Sequence, residues 1–198
     1  MRYIDTPFGI PIKVVDPTLD IREKLIKETK EAAENNRNKV INPWAGRMDA
    51  TFRFDEHVNV IEEECPILKE YVYGLVNEFL DELDLAHPYS FVKMDESWIN
   101  YSKPNYYQEF HMHPEADISG IFYVTAPENS GDLMFNSPAG AYNYHKLTHR
   151  SNRMHASVTY KPYEGRAILF PSYMEHMVGL NKSDNERISI AFNVKLID

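Results

Sequence analysis

Three histidines and one arginine have the types and spacing to do chemistry in this sequence. His111 and His113 stand one residue apart in QEFHMHPEADISGIFYV, Gln108 to Val124, with Glu115 and Asp117 just behind them. In an extended strand, side chains two apart share a face, so the two imidazoles can converge on one point. His176 follows in GRAILFPSYMEHMVGLNKSDNERISIAFNV, Gly165 to Val194, in a turn expected after a buried strand. Arg187 comes eleven residues later, and Ser189 lies two beyond it on the same expected strand face. Two close imidazoles and a distant third suit a non-haem Fe(II) site, which leaves its other positions open for a co-substrate and oxygen. An arginine beside a hydroxyl can clamp a carboxylate by charge-assisted hydrogen bonds. The pattern therefore points to a metal that activates a small acid.

Such ligands need rigid elements to hold them, and the second half of the chain reads as strands. The expected strands are 91–101, 107–113, 118–125, 132–135, 154–160, 166–170 and 187–196, with turns at Pro104-Asn105, Glu128-Asn129-Ser130-Gly131 and Glu164-Gly165. The first half reads differently. One or two short strands are expected within Met1 to Val15, and a helix after Asp16-Pro17-Thr18. Thr18 or Asp20 can cap that helix, with Leu19, Ile21, Leu25 and Ile26 as its buried stripe. Residues 39–60 look irregular, with a strand around Thr51 to Phe54. From Pro66 to Leu83 apolar residues recur at helical spacing, with Pro66 in the first turn. Strands following two helices read as a β-sandwich or barrel carrying helices on one face. We expect one domain: a helical support region, 1–88, and a β core, 89–198. Ser137 to Lys161, with His145, His149, Arg150, Arg153 and His155, is long for a connection and reads as a lid or substrate flap.

Composition narrows the partners. The 198 residues are 43% hydrophobic and 26% charged, ordinary for a soluble globular protein. The formal charge of −9 argues against nucleic acid, which needs a basic face. Cys65 is the single cysteine, so no internal disulfide is expected and the compartment should be reducing. No apolar run approaches a membrane span and no signal-peptide region opens the chain, so a cytoplasmic location is expected. His57 and His87 read as ordinary polar positions, Glu62-Glu63-Glu64 as an acidic surface, and Cys65 as a buried apolar side chain. Trp98, Asn100 and Tyr101 read either as packing or as the wall of a cleft.

Three segments, HMHPEADISGIFYVTAPENSGDL, PYEGRAILFPSYMEHMV and NERISIAFNV, together resemble the 2-oxoglutarate/Fe(II)-dependent oxygenases. The resemblance is to the bacterial and phage, prolyl-hydroxylase-like branch with an HxHP…SGxYYV…FPSxxxHxV…ERxSxxFN pattern, and it covers about residues 95–196. It implies a mainly β fold with α elements, a double-stranded β-helix (jelly roll) supported by N-terminal helices. It implies Fe(II) as cofactor and 2-oxoglutarate as co-substrate, with O2 and a small-molecule, peptide or protein substrate. His111 matches the first ligand and His176 the distal one. Arg187 and Ser189 match the pair that binds the far carboxylate of 2-oxoglutarate, and Tyr123 falls against the same carboxylate. His113 stands where the family usually has a carboxylate. That leaves three arrangements: His111, His113 and His176; a shifted pair of His113 and Glu115; or completion by Asp117. Strand geometry favours the three-histidine set, because Pro114 is expected to end the strand and redirect Glu115.

The implied activity is a dioxygenase that hydroxylates a prolyl or other peptide residue and releases succinate and CO2. Two other readings use the same residues. A cupin-like three-histidine metalloenzyme would not need Arg187, and a jelly-roll binding module would need no metal.

Overall fold

The computed structural model describes residues 2–5, 9–43, 47–83, 91–138 and 156–197. Trp44, His87, most of the expected flap and its histidines and arginines lie outside these residues.

Two antiparallel sheets face each other. The strands are β1 (Arg2–Asp5), β2 (Ile12–Val15), β3 (Asp49–Ala50), β4 (Phe91–Ser102), β5 (Gln108–His111), β6 (Ile118–Thr125), β7 (Leu133–Asn136), β8 (Ser157–Tyr160), β9 (Ala167–Pro171), β10 (His176–Val178) and β11 (Arg187–Ile197). The larger sheet runs β1-β2-β9-β6-β11-β4-β3 and the smaller runs β5-β10-β7-β8. Three α-helices, α1 (Leu19–Asn35), α2 (Val60–Glu64) and α3 (Pro66–Glu82), and a short 3-10 helix (Arg37–Lys39) complete the described elements. Among the described residues, no helix is long and apolar enough to cross a membrane.

Alternation along the strands of the larger sheet creates two separate cores. From β11, Ile190, Phe192 and Val194 join Phe122 and Val124 of β6 and Leu68, Val72, Leu75, Val76 and Phe79 of α3 in one apolar cluster. From the opposite face, Ile121 and Tyr123 of β6, Ile168 and Phe170 of β9, and Ile12 and Val14 of β2 meet Leu133, Phe135 and Val178 of the smaller sheet. Gly120 of β6 is small of necessity, because a Cβ there would stand 2.2 Å from the Phe192 ring. Lys13, on the helix-facing side of β2, is 1% exposed and pairs with Glu82 at 2.9 Å and Glu78 at 3.4 Å, tying the strand to α3.

Several expectations shift. In α1, Leu19 and Ile21 are exposed, and the buried face is Leu25, Ile26, Thr29, Ala32 and Ala33. The first turn of α1 runs beside the Gly165 turn, where the stem of Arg22 supplies the contact instead. Thr18 is the N-cap residue by position, but its hydroxyl donates to Asp20 and not to the helix end. The strand expected at Thr51 to Phe54 falls at Asp49–Ala50, and α2 escaped the sequence reading because five residues carry no period. The acidic run within α2 is partly structural. Glu62 accepts from Tyr73 Oη and Glu64 from Asn36 Nδ2. Cys65 is buried, and desolvation pushes its thiol pKa up to about 12.

Candidate metal and co-substrate site

His111 is the last residue of β5 and His176 the first of β10, and the two are register partners across the smaller sheet. The turn expected at His176 is thus the start of a strand. His113 lies beyond the strand, which ends at His111 and not at Pro114 as expected. Its main chain is redirected by hydrogen bonds, the His113 N–H donating to Ser172 O at 3.0 Å and its carbonyl accepting from Ala116 N–H at 3.2 Å. The three rings nevertheless converge, with one potential ligand atom from each lying within 4.8 Å of the others. Ring centroids are 4.2 Å apart for His111 and His176, 5.2 Å for His111 and His113, and 5.3 Å for His113 and His176. Glu115 and Asp117 are exposed and outside the cluster, and Asp117 Oδ2 accepts from the Leu196 N–H.

The His111 Nδ1 lies 2.7 Å from Glu109 O and the His176 Nδ1 lies 2.8 Å from Met174 O. A carbonyl only accepts, so both rings carry their proton on Nδ1 and turn the Nε2 lone pair elsewhere. Burial holds all three imidazole pKa values down: His111 lowered, His113 to about 4 with a further push from His111, and His176 well below its ordinary value. Phe135 and Phe170 pack against the His176 ring and supply part of that desolvation. Neutral imidazoles are the form a metal needs.

A cleft of about 780 Å³, counted to its open mouth, runs from these rings to Arg187. Trp98, Asn100, Ile121, Ser189 and Asn193 help to line it. Arg187, at the start of β11, is 1% exposed, and its Nη1 donates to Ser130 O at 3.1 Å and Gly131 O at 3.0 Å. Gly131 closes the turn that presents those carbonyls. Its φ of +95° and a Cβ position 2.1 Å from Gly179 O leave no room for a side chain. Glu186, the neighbour of Arg187 in sequence, is turned away and pairs with Arg37 at 2.5 Å. Instead, Arg187 Nε, Tyr123 Oη, Ser102 Oγ and Ser130 Oγ are all buried with no hydrogen-bond partner. Ser102 is the register partner of Arg187 across β4, and Ser189 that of Tyr123 across β6. Burial pushes the Tyr123 hydroxyl up to about 12 against the pull of the Arg187 charge, so it is a donor at neutral pH.

Orphaned buried polar atoms cost about 1–3 kcal/mol each. A buried cation with three unpartnered hydroxyls beside it fits an anion with several acceptor oxygens. Three imidazoles without a carboxylate fit a borderline divalent metal such as Fe(II). The residues present therefore fit both a metal and a small dicarboxylate.

Residues 96–193, which carry both ends of the cleft, match the sequence model of a family described as "Putative 2OG-Fe(II) oxygenase". The chain belongs to the 2-oxoglutarate/Fe(II) oxygenases. No curated protein matches this oxygenase by sequence. Solved structures match its fold. A Pseudomonas putida prolyl-4-hydroxylase aligns at TM-score 0.62 with 14% identity, covering 94% of this chain and 93% of that one. HygX from Streptomyces hygroscopicus, solved with nickel and 2-oxoglutarate, aligns at 0.59 with 10% identity over 93% and 82% of the two chains. The viral collagen prolyl hydroxylase of Paramecium bursaria Chlorella virus-1, solved with 2-oxoglutarate, aligns at 0.55 with 16% identity over 94% and 96%. At these identities the likeness is one of fold, and it makes the paired sheets of this oxygenase a jelly roll.

The sequence reading did not single out several contributors to the oxygenase site, Ser102 among them. Ser130 and Gly131 were legible only as a turn. Asn193 entered only as the last letter of the family pattern, with no role, and Glu96 carried no signal, because their roles depend on strands that meet across the sheet. Trp98 and Asn100, left open between packing and cleft, line the cleft, whereas the Tyr101 ring is core and its hydroxyl donates to Ala33 O.

Proposed function

We propose that His111, His113 and His176 hold Fe(II) and that Arg187, with Ser189 and Tyr123, holds the far carboxylate of 2-oxoglutarate, the protein acting as a hydroxylase. Bound Fe(II) supplies the oxidative chemistry, in which 2-oxoglutarate is converted to succinate and CO2 while one oxygen of O2 enters a substrate C–H bond. The residues do the rest by binding and placement. Arg187 is pre-aimed by two backbone carbonyls, so it loses little freedom when the carboxylate arrives. Tyr123 and Ser189 are buried hydroxyls on the facing strand pair, placed to donate to the same group. Ile121, Leu133 and Phe170 give the intervening cleft apolar walls that keep water from the reacting atoms.

The observation that carries this reading is the buried Arg187 with unpartnered donors around it, at the far end of a cleft that also reaches three neutral imidazoles. A three-histidine cupin would have no use for that end. For the substrate, we propose a peptide residue, with proline first to be tested. This is supported by solved relatives of the same fold that are prolyl hydroxylases, one from Trichoplax adhaerens in complex with a peptide fragment. It is also supported by an aromatic run from the metal end outward: Trp98 lies 5.8 Å from His113, Phe52 5.2 Å from Trp98, and Phe54 5.1 Å from Phe52, with Phe54 76% exposed.

The test is anaerobic loading with Fe(II), titration with 2-oxoglutarate, and succinate release on admitting O2. Metal uptake with 2-oxoglutarate turnover supports the oxygenase, and proline peptides should accelerate it. Metal uptake without 2-oxoglutarate binding favours the cupin reading, and no metal uptake a binding module.

A further inference from the structure

We infer that Glu96 determines substrate choice: it is the counter-charge for an ammonium or guanidinium group that a basic peptide brings to the metal end of the cleft. The inference rests on the reading of the protein as a peptide hydroxylase.

β4 and β11 form one ladder along the cleft. Its rungs are Ser102 with Arg187, Asn100 with Ser189, Trp98 with Ala191 and Glu96 with Asn193. Opposed residues of an antiparallel pair share a face, and residues two apart stay on it. At about 3.3 Å per residue, the Glu96 rung lies about 20 Å of strand from the Arg187 rung. It lies at the metal end, because Asn193 Nδ2 is 3.4 Å from His113 Nδ1 and Trp98, one rung back, is 5.8 Å from the His113 ring. Among the described residues that line the cleft, Arg187 alone carries a fixed positive charge and Glu96 alone a carboxylate. The cleft therefore has opposite charges at its two ends.

The co-substrate accounts for the positive end and leaves Glu96 unanswered. Glu96 Oε1 accepts from Asn193 Nδ2 at 2.7 Å, and Asn193 is held in turn by Ser119 Oγ, which donates to its Oδ1 at 2.7 Å. The carboxylate is thus anchored through one oxygen, with further acceptor positions open. No cation among the described residues pairs with it. Lys195 is committed to Asp95 at 2.9 Å, and Arg53 turns its guanidinium onto the carbonyls of Thr51, Phe52 and Lys39. A half-buried charge without a counter-ion is costly, and a cationic ligand relieves it through a charge-assisted hydrogen bond. The adjoining wall suits the same group. Trp98 and Phe52 both line the cleft, and aromatic faces attract cations while packing well on a lysine or arginine stem. Beyond Phe52 and the exposed Phe54, Asp55 and Glu56 are exposed as well, so the approach is also negative.

The test is calorimetric titration of the anaerobic full chain, loaded with Fe(II) and 2-oxoglutarate, with capped proline peptides that carry lysine, norleucine or glutamate beside the proline. Norleucine keeps the aliphatic stem and lacks the charge. Lysine should bind about tenfold tighter than norleucine, the lower end for a close charge pair, and glutamate more weakly than either. Glu96→Gln keeps an acceptor for Asn193 Nδ2 but removes the charge, and it should erase the lysine preference. Equal affinity for lysine and norleucine in the wild type, or no measurable peptide binding, overturns the inference without need of any variant. A lysine preference that survives in Glu96→Gln overturns the role of Glu96. The hydroxylase reading is checked separately by succinate release from the same loaded wild-type protein when O2 is admitted without peptide. Release without a lysine preference sinks only the Glu96 inference, whereas a lysine preference lost in Glu96→Gln, but without release, keeps Glu96 as the cation site and removes the hydroxylase.

Discussion

On the helix side of the larger sheet, Phe122, Ile190, Phe192 and Val194 share an apolar cluster with Leu68, Val72, Leu75 and Phe79 of α3. The ionic group buried there, Lys13, has two carboxylates. On the opposite face of the same strands, Arg187 has none, and Tyr123, Ser102 and Ser130 keep hydroxyls without partners. The two faces are equally buried, yet one is satisfied by the protein alone and the other is not. Buried polar groups are ordinarily paired. A set of orphans gathered around one cation therefore marks a surface shaped for a ligand, held rigid by the satisfied layer behind it.

This contrast can be broken from either side. The largest expected effect is at the metal end: His176→Ala should abolish stoichiometric iron binding, measured by metal analysis after anaerobic loading, with the helix-side core intact by circular dichroism. Iron retained at unchanged affinity would remove His176 from the ligand set. Next, Phe79→Ala should lower unfolding stability by about 3–5 kcal/mol in urea titrations, as expected for a truncated, fully buried ring. Iron and 2-oxoglutarate binding by the fraction still folded should be unaltered, and a selective loss of 2-oxoglutarate would mean that the two layers are not separable.

Arg187→Ala should do the reverse, leaving iron bound while weakening 2-oxoglutarate by about 2–5 kcal/mol, the usual cost of removing one partner of a buried charge pair. Lysine there should rescue only in part, because the forked guanidinium geometry is lost. An unchanged Michaelis constant for 2-oxoglutarate in the alanine variant would make Arg187 structural.

The smallest effect is on acid stability. Folded His113 resists protonation down to about pH 4, whereas an unfolded imidazole takes up its proton near 6.5. In that window the unfolded state binds more protons, so the metal-free protein should lose stability as pH falls from about 6.5 towards 4. Urea midpoints at a series of pH values should show a shallower fall in His113→Ala. A slope equal to that of the wild type would show that this ring is not held neutral.

The sequence by itself determined much of this. The period of α3 and the strands 118–125, 166–170 and 187–196 follow from local chemistry, because periodicity is a property of neighbouring residues, whereas the match of His111 with a distant His176 came from the family pattern. Buried faces at element ends were less legible: Leu19 and Ile21 fit a helical stripe, but whether a first turn lies over the sheet depends on what surrounds it. Only the tertiary structure brings the third imidazole beside the other two. Local geometry put His113 on the strand face of His111, yet the strand stops first, and Ser172 on another segment turns the chain so that the ring arrives all the same. The same holds for Asn193 and for the Ser130–Gly131 carbonyls, which are far from His113 and Arg187 in sequence. Their meaning lies in long-range hydrogen-bond geometry, which no local pattern encodes.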